Sequence, residues 1–214
     1  MIKNKKYIIF DWNGTLVDDA WIFVDILNVL LTVRGLNTIT IEDYRNKFCF
    51  PIKLFYKNLG VDISKKSFLK LEKEFVIEYA KRMYQPQLFK NVPKLLSKLS
   101  NAGFGLSILS ASNERVLCSL VNHYQLTNYF DYIVGVDNYG ANGKVERGSS
   151  LLKKISCNKN EILMIGDTDY DYKVAIQLGL DVILISHGHQ STYKLSKLSN
   201  NVIGSLNDIG YDYL

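Results

Sequence analysis

Cysteine is scarce. Three residues, Cys49, Cys118 and Cys157, stand far apart in a chain of 214 residues, too scattered for a disulfide framework or a metal knuckle. They read as small core hydrophobes, and a reducing cytoplasm is the expected setting. Long apolar runs are lacking as well. The N-terminal lysines lead into only Tyr7-Ile8-Ile9-Phe10 before Asp11, too short for a signal segment. Stretches such as Val29-Leu30-Leu31 fall far short of a bilayer span, so a soluble monomer or dimer without membrane partners is expected. Blocks of like charge, internal repeats and low-complexity tracts are also missing. The 26 basic and 21 acidic residues leave a formal charge of +5, spread along the chain. That is a mild bias toward anionic ligands, far from a nucleic-acid footprint.

What is present is a core. Apolar residues make up 47% of the chain, and the length suits one domain or a core carrying a smaller insertion. Short apolar segments bounded by turn residues recur at 7–10, 105–109, 132–136, 162–165 and 182–185, with 202–203 a short sixth. Helical patterns lie between them, at 113–121 and at 170–178, the latter closed by Gly179. Another begins at Asn91-Val92-Pro93 and ends before Gly103. This alternation predicts βαβ units and a mostly parallel sheet.

Roughly ninety residues separate the first and second strands, where a crossover of about a dozen would suffice. The interval is helical in pattern: 21–33 keeps an apolar face, and Ser64 can cap a helix carrying Phe68, Leu71, Phe75, Tyr79 and Met83. Gly35, Pro51, Gly60 and Pro86 punctuate it. The expected fold is α/β, a Rossmann-like three-layer core of residues 1–16 and 87–214 with an inserted helical cap at 17–86.

Asp11-Trp12-Asn13-Gly14-Thr15 follows the first strand directly. A carboxylate there lies at the crevice outside the strand ends, where ligands of open α/β sheets bind. Three further fragments fall at or after later strands: Ser110, then Gly143-Lys144-Val145, then Gly166-Asp167-Thr168-Asp169-Tyr170-Asp171. Each has a plainer reading alone. Asp11 could simply end a strand, Ser110 cap a helix, Lys144 sit solvated in a glycine-rich loop, and the aspartates form a loose calcium loop, although the later bidentate Glu is absent.

Taken together, in this order and spacing, the fragments resemble the motifs of the haloacid dehalogenase-like hydrolases, in particular phosphoglycolate-phosphatase-like members with a helical cap. The likeness extends to Phe50-Pro51-Ile52 and to His187-Gly188-His189. It implies a phosphatase acting on a small phosphorylated metabolite, with Asp11 as nucleophile forming an aspartyl-phosphate. Ser110, Lys144 and backbone N–H groups of Trp12, Asn13 and Ala111 would meet the phosphoryl charge. Mg²⁺ would be held by Asp11, Asp167, the Asn13 carbonyl and Asp171, with Asp171 or Asp169 also orienting Lys144 or bound water. Lys144, Asp167 and Asp171 together favour this chemistry over dehalogenation. The long insertion argues against a signalling receiver.

Asn13 departs from that pattern, which has an aspartate as proton donor there. An amide can donate a hydrogen bond but cannot shuttle a proton, and such help is worth ~10² to 10⁴ in rate. The expected consequences are a preference for good leaving groups and slow release of phosphate from Asp11, unless Asp18, Asp19 or a cap residue supplies the acid. The other reading is a catalytically weak phosphometabolite-binding protein. Trp12 should pack away from the nucleophile by strand alternation, and His123 should lie on a helix surface. His187 and His189 read as a loop at the site rim rather than a zinc pair. Arg34, Arg45, Lys47 and Lys53 gather positive charge in the cap; Arg45, Lys47 and Lys53 are either a solvated face or the recognition point for a second anionic group.

Overall fold

The computed structural model describes residues 3–137 and 143–209. In chain order the elements are β1 (Tyr7–Phe10), β2 (Val17–Asp18), α1 (Ala20–Thr32), α2 (Ile41–Lys47), α3 (Ile52–Asn58), α4 (Lys65–Arg82), β3 (Gln87–Leu88) and α5 (Val92–Asn101). There follow β4 (Gly105–Asn113), α6 (Glu114–His123), β5 (Tyr132–Val136), α7 (Lys144–Leu152), β6 (Ile162–Gly166), α8 (Asp169–Leu178), β7 (Asp181–Ile185), α9 (Thr192–Leu195) and β8 (Val202–Ile203). Six strands form one sheet in the order β5-β4-β1-β6-β7-β8, every pairing parallel. The strand order reverses beside β1, which pairs with β4 on one side and β6 on the other. That reversal opens the crevice of a doubly wound sheet directly beyond Phe10.

Both faces of the sheet are covered. Ile8 and Phe10 of β1 pack with Leu95, Leu96, Leu99, Leu117 and Leu120 on one side. Tyr7 and Ile9 pack with Leu151, Val174 and Leu178 on the other. A parallel strand buried on both faces must be apolar throughout, and β1 is. The three-layer α/β architecture expected from the sequence is the one observed.

Helices α1 to α4 gather a separate apolar cluster, with Ile22, Ile26, Leu30, Tyr44, Phe55 and Leu71 at its centre. The chain enters and leaves this helical layer side by side, because β2 and β3 pair antiparallel through Val17 with Leu88 and Asp18 with Gln87. Thr40 caps α2 by accepting from the Asp43 N–H at 3.0 Å.

Several local expectations differ from the structure. Strand β4 continues to Asn113 through a register shift after Leu109, so α6 begins at Glu114 with Asn113 as its cap. Lys144 does not sit in a loop but opens α7. The preceding Gly143 takes φ 95°, which suits glycine, and Leu151 behind it is buried against the sheet. Ser64 leaves the start of α4 uncapped because its hydroxyl donates to Asp62. Of the cysteines, Cys118 is exposed and not a core residue, whereas Cys49 and Cys157 are half-buried and pack against apolar clusters. His123 is exposed, as expected, beside the Tyr84 ring. Among the described residues no helix is long and apolar enough to cross a membrane.

The loop after β7 is pinned by a ring stack. His187 lies on Phe89 with centroids 3.6 Å apart, and its Nε2 is 3.3 Å from the Thr15 carbonyl. Burial pushes His187 down to about 4. The folded protein therefore holds the ring neutral where the unfolded chain, with an ordinary pKa near 6.5, takes up a proton. Stability from this site is complete above pH 6.5 and declines as pH falls toward 4. Urea unfolding at pH 7 and pH 5 should show a fall in midpoint that His187→Phe reduces; an unchanged pH slope in the variant would refute the assignment.

Candidate active site

The ladder of β1 extends one residue past Phe10, with the Asp11 N–H donating to the Ile165 carbonyl at 2.8 Å. The chain then turns on the Trp12 carbonyl, which accepts from Leu16 N–H at 2.9 Å and Val17 N–H at 3.2 Å. Gly14 takes φ 69°, and a Cβ on it would collide with the Asp167 carboxylate and the His189 ring. Gly188 is confined in the same way, between Asp167 and the Gly14 backbone. Two glycines thus allow the loops after β1 and β7 to close over Asp167.

At the centre stands Lys144, 1% exposed. Its Nζ donates to Asp11 Oδ1 at 2.6 Å and to Asp171 Oδ1 at 2.5 Å. The other oxygen of Asp171 accepts from Thr168 Oγ1 at 2.6 Å and from the Thr168 and Asp167 N–H groups. Thr168 caps α8 and receives the Asp171 N–H in return, a reciprocal box that fixes Asp171. Asp167 accepts from Thr15 Oγ1 at 3.1 Å and from His189 N–H at 2.6 Å. One oxygen of each of Asp11, Asp167 and Asp171 lies within 4.8 Å of the others. Predicted residues from three separate stretches of chain therefore meet.

The electrostatics of this cluster suit a divalent cation. Burial holds Asp11 above the usual carboxylate range, with Asp171 and Asp167 adding to the shift and Lys144 opposing it. Burial likewise raises Asp167, against His189 and with Asp171. Burial would lower Lys144, but Asp11 and Asp171 outweigh it and hold the ammonium charged. Three buried carboxylates against one ammonium leave excess negative charge on hard oxygen donors, the donor set that Mg²⁺ takes. The residues fit the ion.

Asn13 is held at both ends. Its Oδ1 accepts from Ser112 Oγ at 2.6 Å and its Nδ2 donates to Asp19 Oδ2 at 2.5 Å. Asp19 is fully buried, and its other oxygen accepts from the Gly14 N–H at 2.9 Å and lies 3.1 Å from His189 Nε2. Tyr44 OH meets His189 Nδ1 at 2.7 Å. Burial opposes a charge on His189, yet the Asp19 hydrogen bond and the nearby carboxylates raise its pKa. Asp18, by contrast, faces outward.

Other expectations are corrected. His189 is 3% exposed and packs against Phe23 with centroids 4.8 Å apart, so it belongs to the interior of the site and not to its rim. Asp169 turns away to Lys173 and Gln190, drawn by an ion pair and an amide. Arg45, Lys47 and Lys53 do not line the cleft. Arg45 donates to the His187 and Gly188 carbonyls, Lys47 is half-exposed beside Asp43, and Lys53 lies over the Phe68 ring. Trp12 packs in the sheet core, as alternation required. Ser110 is buried and lines the cleft with Asp11, Ala111, Asn13 and Lys144. Sequence reasoning missed Ser112 and Tyr44 altogether. Asp19 was visible only as one of two adjacent acids.

The family described as haloacid dehalogenase-like hydrolase matches residues 8–185. The chain is similar to a phosphoglycolate phosphatase of Aquifex aeolicus (strain VF5), 24% identical over 187 residues covering 86% of each chain. It is also similar to one of Psychrobacter arcticus, 23% identical over 92% of this chain and 90% of that one. In fold it is similar to a predicted phosphatase from Clostridium acetobutylicum, with a TM-score of 0.80, 22% identity and 95% of each chain covered. A haloacid dehalogenase-like family hydrolase from Streptococcus pneumoniae gives 0.78 and 21% identity over 94% of this chain and 93% of that one.

Removing the ammonium strands two buried carboxylates. Lys144→Met should therefore lose about 3–5 kcal/mol of stability, the usual effect of breaking a buried ion pair on one side. Urea unfolding without divalent ions measures it. A midpoint equal to that of the parent would show that the bridge does not form.

Proposed function

The chain belongs to the haloacid dehalogenase-like hydrolases, and from that membership we propose a magnesium-dependent phosphatase. It cleaves a small phosphorylated metabolite, as the names of its phosphoglycolate phosphatase relatives suggest, through a phosphoenzyme on Asp11. The observation that carries this reading is Lys144 bridging Asp11 and Asp171, with Asp167 in the same buried cluster.

In the first step an Asp11 oxygen attacks phosphorus, forming a new P–O bond as the bond to the leaving oxygen breaks. Lys144 aligns the attacking carboxylate and meets charge on the phosphoryl oxygens, and Asp171 holds Lys144 in place. Ser110 and the backbone N–H groups of Trp12, Asn13 and Ala111 complete the phosphate cradle. Asp11, Asp167 and the Asn13 carbonyl would hold Mg²⁺, with Asp171 close behind; when bound, the ion neutralises the transferring group. Water then cleaves the aspartyl-phosphate, releasing phosphate and restoring Asp11. Residues 17–86 act as a cap that admits substrate and excludes water.

Asn13 sets the leaving-group preference. Its amide is committed to Ser112 and Asp19 and carries no transferable proton, so the leaving oxygen departs as an anion and takes its proton from solvent. The same amide favours a second reading, binding of a phosphometabolite with little turnover. An assay with Mg²⁺ on aryl phosphates of graded leaving-group pKa separates the two. Turnover should fall steeply as the leaving group becomes more basic, and Asp11→Asn should abolish it. A flat dependence would sink the leaving-group preference, and absence of Asp11-dependent turnover would leave only binding.

The Asn13–Asp19 hydrogen bond makes a sharper test. Asn13→Asp alone would set two carboxylates at hydrogen-bond distance, where they share a proton. The exchange N13D/D19N keeps the bond with its polarity reversed and places a carboxylate beside the nucleophile. It should raise turnover of alkyl phosphates by on the order of 10², with the single Asn13→Asp variant well below it. Equal rates for the exchange and the parent would show that the missing acid is not what limits the reaction.

A further inference from the structure

We propose that the organic part of the substrate is uncharged and aromatic, a phosphate ester of a small ring-bearing alcohol or phenol and not of a carboxylic acid. This rests on the phosphatase reading above and names the substrate class for the same site.

The cleft above Asp11 has a volume of about 290 Å³, at the lower end of the range for small-ligand pockets. Most of its polar groups sit at the strand ends that form the floor, Asp11, Asn13, Ser110, Ser112, Lys144 and Asp171 among them, with Glu72 and tyrosine hydroxyls on the walls. Its walls are aromatic. Phe23, Phe48, Phe50, Phe55, Phe75 and Tyr79 all face it, and the helical layer supplies every one of them. Phe50 also stacks on Tyr170, with centroids 4.6 Å apart, carrying the aromatic wall across to the residue beside Asp171. Rings arranged in this way accept another ring edge-on or offset, burying its faces and leaving no donor or acceptor unmet.

Charge selects against the alternative. A phosphorylated acid brings a second anion, which needs a cation or a converging set of donors away from the phosphate. The cations that line the cleft are Lys144, held between Asp11 and Asp171, and His189, whose charged form faces Asp19. Among the described residues no lysine or arginine of the helical layer lines the cleft, and three are held away from it: Arg45 on backbone carbonyls, Arg34 with Glu74, Lys53 over Phe68. The charged side chain on the wall is Glu72, which repels an anion. The ring walls reward an apolar leaving group, and Glu72 discourages an acidic one.

The test must separate substrate class from leaving-group basicity. Benzyl phosphate and phosphoglycolate both release an alkyl alcohol, so their kcat/KM ratio reports the wall. We expect benzyl phosphate to be favoured by about a hundredfold, the discrimination an apolar pocket achieves. Binding without turnover is read by calorimetry on the unaltered protein with Mg²⁺, using benzylphosphonate and phosphonoacetate. Benzylphosphonate should bind at least about tenfold more tightly. Glu72→Lys places a cation on the wall and should strengthen phosphonoacetate by about tenfold without strengthening benzylphosphonate. Phosphonoacetate binding the unaltered protein as tightly as benzylphosphonate would overturn the substrate class, even with Asp11-dependent hydrolysis of aryl phosphates intact. Preferential binding of benzylphosphonate with no Asp11-dependent hydrolysis would retain the ligand class and reject the phosphatase. Failure of both phosphonates to bind would reject the substrate class.

Discussion

The ammonium of Lys144 between two buried carboxylates is the interaction on which the rest of the site depends. A lone carboxylate at the end of a central strand, shut away from water, is pushed toward its neutral form. Lys144 supplies the opposing charge at 2.6 Å from Asp11. Because one ammonium cannot balance three carboxylates, the same cluster is left suited to a dication. Asp171 is a positioning group here: one oxygen holds Lys144, and the other closes the first turn of α8.

Around this centre the loop after β1 is wired through Asn13, Gly14 and Asp19. The buried acid of this loop is Asp19. Asn13 reaches it through an amide hydrogen bond, and His189 faces it from the opposite side. The tight approach of Gly14 and Gly188 to Asp167 shows how little room this loop leaves.

The helical layer gives the cleft its shape and apolarity. Its aromatic residues serve two ends at once: Phe48, Phe55 and Tyr44 pack on one another and on His189, and their remaining surface lines the cleft. A wall built from the cluster that also holds the layer together is closely packed. Its basic residues, which drew attention in the sequence, serve as structural ties.

Sequence determined the parallel sheet and the four fragments that meet at Asp11. Strand runs such as Tyr7–Phe10 are set by burial on both faces, a local demand that leaves a local pattern, and β1 and β5 fall where that pattern put them. Asp11, Lys144 and the later aspartates were legible as a set because their order and spacing at strand ends resemble the motifs of the family whose model matches the chain. Tertiary structure alone decided which of Asp18 and Asp19 faces inward, that His189 is interior, that Lys144 begins a helix, and that Arg45, Lys47 and Lys53 are spent elsewhere. Each of those outcomes turns on which distant atoms come within 3 Å or so, the range of a hydrogen bond. Spacing along a chain carries no record of contacts between residues more than a hundred positions apart, such as Asp19 and His189.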